Sequence, residues 1–161
     1  LTLDDLQIPY WAFMLGASAF VLWKGSAPER YGVGTIITMA VFQITMEVVN
    51  PSRFVNVDAA SLGADMIGFL GFGIVALHAR RVWPLWAVAL QMIALAAHYS
   101  RWASVSISPG AYSIMRTAPT AIIVALMLAA TVSLLRWRRR GYSDVPWQDW
   151  SAIERARQAK S

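Results

Sequence analysis

Hydrophobic residues in this chain fall into five long runs separated by short polar punctuation. The runs cover about Ile8–Trp23, Val33–Val49, Ala59–Ala79, Leu85–Trp102 and Ala118–Leu135. None shows the period of two of a half-buried strand, and each approaches the roughly 20 apolar residues needed to cross a bilayer as a helix. The pattern predicts an all-α, polytopic transmembrane helix bundle with five spans. Four spans is the alternative, because the first run is short unless its helix begins near Leu3. Thr2, Asp4 and Asp5 can cap such an early start, and Pro9 is tolerated in the first turns. Arg80-Arg81-Val82-Trp83-Pro84 is a turn short enough to make runs three and four an antiparallel hairpin. Ser108-Pro109 predicts a helix start ahead of run five, with a bend at Pro119.

Beyond Arg140 the pattern changes. Ser143 or Asp144 before Pro146 predicts the start of a last helix, with Trp147, Trp150 and Ile153 on one face and Glu154, Arg155 and Arg157 near the other. The organisation predicted is therefore a transmembrane bundle over 1–140 and a cytoplasmic amphipathic tail over 141–161. That tail reads either as a helix on the inner leaflet or against a partner, or as a solvated chain end.

Composition sharpens the solvent. Of 161 residues, 57% are hydrophobic and 14% charged, against about 25% charged in soluble domains. The net charge of +5 is uneven, with residues 1–135 contributing +1 and the remainder +4. Basic residues beside apolar runs are topology signals and not a nucleic-acid surface. Lys24, Arg30, Arg80, Arg81 and Arg136, Arg138, Arg139 and Arg140 all fall on one side in a five-span arrangement. The positive-inside rule then puts the N-terminus in the periplasm and the C-terminus in the cytoplasm of a bacterial inner membrane. Tyr10, Trp11, Trp23, Trp83, Trp86, Trp102 and Trp137 mark the interfaces. The acidic start lacks the basic segment of a signal peptide.

Candidate chemistry lies in a polar seam inside the runs. Gln43 and Glu47 share one face of run two, Asp58 and Asp65 one face of run three, and Gln91 and His98 one face of run four. Glu47, Asp58 and His98 fall near the outer ends, with Asp65 about 10 Å deeper than Asp58 and Arg101 one turn from His98. Such groups are costly in hydrocarbon, so they face a bundle interior and a partner. They read either as a proton, ion or small-ligand site open to the periplasm, or as hydrogen bonds that fix helix register. Ala60, Ala64 and Gly71 form a small-residue stripe for close helix packing, which predicts a central place for run three.

Other chemistries are bounded by absence. Without cysteine there is no iron–sulfur cluster or thiolate metal site, and no residues suggest a catalytic or metal centre. Lys24 and Lys160, the only lysines, lie outside the runs, which excludes a retinal Schiff base. His78 and His98 fall roughly 20 Å apart in depth, so they cannot share a haem, and only a single-His tetrapyrrole site stays open. Pro51-Ser52-Arg53-Phe54, Arg80-Arg81-Val82-Trp83-Pro84-Leu85-Trp86, Gln91, His98 and Ala27-Pro28-Glu29-Arg30 together resemble a group of short polytopic membrane proteins of sphingomonad-type alphaproteobacteria. The resemblance spans roughly residues 24 to 140 and implies a bacterial inner membrane, without an activity. The expectation is a non-enzymatic accessory or scaffold subunit, in contact with lipid and with other subunits of a respiratory or photosynthetic complex. A small carrier or ligand- and ion-binding protein is the alternative, and a membrane-embedded enzyme the third reading.

Overall fold

The computed structural model describes residues 3–49, 59–102 and 109–159, and they are helical almost throughout. α1 runs Leu3–Lys24, α2 Ala27–Val49, α3 Ala59–His78, α4 Trp83–Trp102, α5 Pro109–Arg139 and α6 Trp150–Gln158. α1 is helical from Leu3, and its 22 residues exceed its apolar run, Ile8–Trp23, by about a third. Pro9 sits within it. α5 continues from Pro109 through Pro119 as one 31-residue helix. α2, α3 and the Ala118–Arg139 portion of α5 are long and apolar enough to cross a membrane.

The turns follow local chemistry. Gly25 ends α1 by donating to the Val21 carbonyl at 2.8 Å, and a side chain there would sit 2.4 Å from that same oxygen. Only glycine fits so tight a reversal. α5 ends in a Schellman turn: Gly141 has φ +82°, Tyr142 N–H reaches back to the Trp137 carbonyl at 3.3 Å, and Gly141 N–H to that of Arg138 at 3.1 Å. The Trp137 and Tyr142 rings, 5.3 Å apart, supply the apolar contact that accompanies such a cap. Arg136, Arg138 and Arg139 in the last turn complement the helix dipole.

The bundle closes as a ring. α3 packs extensively only on α2 and α4, α5 packs on α4, α1 and α2, and α1 also meets α2. α3 is therefore flanked and not central, contrary to the expectation from its stripe. Its outer face carries exposed Met66, Leu70, Ile74 and Leu77. The stripe is used inside the chain: Gly71 lies against Thr35 of α2 and Gly63 against the Phe42 ring, while Ala60 and Ala64 are buried. Small residues let α2 and α3 approach closely. Val21, Val33, Phe72, Val75, Trp83, Ala87, Ile123, Val124 and Met127 fill the core. Large apolar side chains cover the outside and several polar ones lie within, an inversion suited to lipid contact.

The tail departs from its expected form. α6 starts at Trp150 and not near Ser143, because Asp149 is the cap: its carboxylate accepts from the Ala152 N–H at 3.0 Å and the Ser151 hydroxyl at 2.7 Å. Those bonds hold the Asp149 carboxyl below its ordinary pKa. Trp147 thus precedes the helix. It pairs with Ala79 in a short antiparallel bridge, formed by Arg80 N–H to the Pro146 carbonyl at 2.9 Å and Gln148 N–H to the His78 carbonyl at 2.7 Å. The Tyr31 and Trp147 rings meet edge to face at 5.6 Å. The bridge fastens the start of the tail, Pro146–Gln148, to the end of α3 and the α3–α4 turn.

Candidate functional site

Two polar clusters sit at different depths. The first joins α3 to α4. His98 Nε2 lies 3.0 Å from Asp65 Oδ2, and both side chains are buried. Each residue was legible as an intramembrane polar group, and the hairpin register makes them partners. Asp65 is 13 residues before the end of α3 and His98 is 15 after the start of α4, so at 1.5 Å per residue both stand about 20 Å from the α3–α4 turn. Gln91 lies nearer the turn. Its Nε2 points at the Met39 sulfur at 3.5 Å, a weak acceptor. Gln91 Oε1 is fully buried with no hydrogen-bond partner among the described residues. An orphaned buried amide oxygen costs about 1–3 kcal/mol.

α2 supplies the third wall. Met39 contacts the Gly68 position and Phe42 the Gly63 position, so this stretch of α2 is level with Asp65. Gln43 is then at the depth of the pair and Glu47 about 6 Å further along. Gln43 Nε2 donates to Glu47 Oε1 at 3.0 Å. Glu29, Gly32, Ile36, Gln43 and Glu47 follow the three-four spacing of one helix face. At Gly32 that face meets Met127 of α5 and Trp83, so it points into the bundle. It is buried at Glu29 and Gly32 but exposed at Glu47. Asp58 and the Arg101 side chain, also expected in this seam, lie outside the described residues. Among the described residues no three His, Cys, Asp or Glu side chains converge as metal ligands do.

The second cluster occupies the basic end and was missed in the sequence. Glu29 is fully buried. Its Oε1 accepts from Trp83 Nε1 at 3.1 Å and from Arg81 Nε at 3.3 Å, while Oε2 has no partner among the described residues. Arg81 also pairs with Asp144, which is bound in turn by Arg138 at 3.3 Å. Burial pushes the Asp144 carboxyl up, but Arg81 and Arg138 outweigh it and hold the carboxyl below its ordinary value. Residues read as topology charges are thus a clasp between the α1–α2 turn, the α3–α4 turn and the tail. The available signal was that Glu29 and Asp144 are acids placed among the basic turns. His78, by contrast, is exposed at the end of α3, its Nδ1 2.8 Å from the Ile74 carbonyl.

Geometrically, the two clusters divide the labour. The basic-end clasp fastens chain segments to one another, whereas the Asp65–His98 pair joins two helices inside the bundle. No family model, curated protein or solved structure matches the chain.

Proposed function

We propose that this chain is a non-enzymatic, five-span protein of a bacterial inner membrane, a small carrier or binding protein whose Asp65–His98 pair exchanges a proton with the periplasmic side. The observation that carries this reading is the buried Asp65–His98 contact, level with Gln43 on the face of α2 that becomes exposed at Glu47. An acid and an imidazole in contact offer one proton two sites, and the exposed Glu47, on the same face of α2 as Gln43, supports exchange from that end. Five spans are supported by the 22- and 20-residue lengths of α1 and α4. The periplasmic N-terminus and cytoplasmic C-terminus are supported by the sorting of Lys24, Arg30, Arg80, Arg81 and the Arg136–Arg140 group. The resemblance to short alphaproteobacterial membrane proteins supports the compartment.

Infrared difference spectroscopy on acidification tests the proposal. Wild-type protein should show a carboxyl band that Asp65→Asn removes and His98→Gln shifts. The double variant Asp65→Leu/His98→Leu should keep the fold and lose the response. If the double variant takes up as many protons as wild type, the pair is only a register contact, worth about 0.6 kcal/mol as such bonds go.

A second reading, an accessory subunit of a larger respiratory or photosynthetic complex, is favoured by α6. That helix makes no extensive contact with the bundle and presents exposed Trp150 with Arg155 and Arg157. Native-gel mass spectrometry after gentle extraction tests it, and migration as a lone monomer would eliminate it.

A further inference from the structure

A cavity of about 590 Å³ opens at the basic end, away from the Asp65–His98 pair. Three segments wall it: the α3–α4 turn from Arg80 to Trp83, the end of α5 from Ala130 to Arg138, and the returning tail at Tyr142–Val145. Its size falls in the range of small-molecule sites, about 300–1,000 Å³. Apolar surface comes from Val82, Trp83 and Leu134, and an aromatic lip from Trp137 and Tyr142.

The charges around it are unequally satisfied. Asp144 and Glu29 hold Arg81, and Asp144 also takes one bond from Arg138. Arg80 lines the cavity too. Its backbone N–H is committed to Pro146, whereas its guanidinium has no partner among the described residues. Three arginines set against Asp144 and Glu29 leave one net positive charge. One monoanionic phosphodiester would balance it. Guanidinium groups match phosphate oxygens in geometry as well as charge. Tryptophan, tyrosine and arginine at the mouth of an apolar recess are the composition of the headgroup level of a bilayer.

We propose that this cavity binds the headgroup of an anionic glycerophospholipid from the surrounding bilayer. Arg80 and Arg138 hold the phosphodiester, and the first acyl methylenes lie on Val82 and Leu134. A free phosphate would use the same arginines but gain nothing from the apolar wall. Because the tail forms one side, the lipid also bridges tail and bundle.

Native mass spectrometry of the full chain, released from detergent with added phosphatidylglycerol or phosphatidylcholine, tests this. Wild type should retain phosphatidylglycerol in preference to phosphatidylcholine. Each basic residue near an anionic lipid surface is worth about a fivefold change in binding. R80Q, which breaks no described side-chain bond, should therefore cost about fivefold, and R80Q/R138Q more. R136Q/R140Q removes the same charge from exposed residues outside the cavity and should leave the preference intact. Inorganic phosphate in excess should not displace the lipid. Equal retention of the two lipids, equal losses in the two double variants, or displacement by phosphate would each overturn the proposal.

Discussion

Replacing Glu29 by alanine should be among the most damaging single changes in the molecule. The Trp83 indole N–H is buried and donates to Glu29 Oε1 at 3.1 Å, so losing that acceptor strands it at about 1–3 kcal/mol. Arg81 loses its 3.3 Å bond but keeps Asp144, and its side chain is 21% exposed. Its share is that of a partly solvated pair, about 0.2–1 kcal/mol. Glu29→Ala should then cost about 2–4 kcal/mol once the vacated volume is included. Glu29→Gln keeps an acceptor in place and should cost about 1 kcal/mol. The assay is reversible unfolding in mixed micelles on adding denaturing detergent, followed by helical circular dichroism. A double-mutant cycle with Trp83→Phe isolates the bond: a coupling near 1 kcal/mol is expected. A Glu29→Ala variant within about 0.5 kcal/mol of wild type, the range of inconsequential surface changes, would refute the reasoning. It would mean that the buried carboxylate fastens nothing.

The tail clasp should be sensitive to acid. Because the Asp144 carboxyl is held below its ordinary value of 3.8 in the folded protein, its contribution is complete above that value and is lost as pH falls toward the depressed one. Protease cleavage after Arg140 should accelerate in that window, and Asp144→Asn should show the faster cleavage already at neutral pH. Two glycines should respond in opposite directions to alanine. At Gly32 a methyl group would lie 2.6 Å from both the Met127 sulfur and the Trp83 ring, an overpacking worth about 1–3 kcal/mol of destabilisation. At Gly73 nothing lies within 4 Å, so alanine should stabilise by about 0.4–1 kcal/mol through the unfolded chain. The same detergent titration reads both. For α6, Asp149→Ala should lower helical content by freeing the Ala152 N–H.

Sequence periodicity carried the helices because apolar length and turn chemistry are local. Run boundaries at Trp23, Val49, Ala59 and Trp102 fall within a residue of the helix ends, and the Arg80–Pro84 turn forces the α3–α4 hairpin. Local patterning also marked Asp65, Gln91 and His98 as inward-facing, since a polar group in an apolar run needs a reason to be there. It misjudged the tail, because Trp147 repeats at helical spacing with Trp150, yet a better partner exists elsewhere. The Ala79 backbone and the Tyr31 ring take it instead.

Partner choice is where the chain alone ran out. A seven-residue spacing places Gln91 and His98 on one face, but only the register of two helices selects Asp65 for His98 and leaves Gln91 facing Met39. Glu29 looks solvated beside Arg30 until three turns close over it and bury it with Arg81 and Trp83. The five apolar runs and their charged ends were determined by the sequence itself, through segment length and the cost of charge in hydrocarbon. Which polar groups meet and which of them are buried were decided by tertiary packing, because a buried charge is stabilised by whichever partner the fold brings within reach.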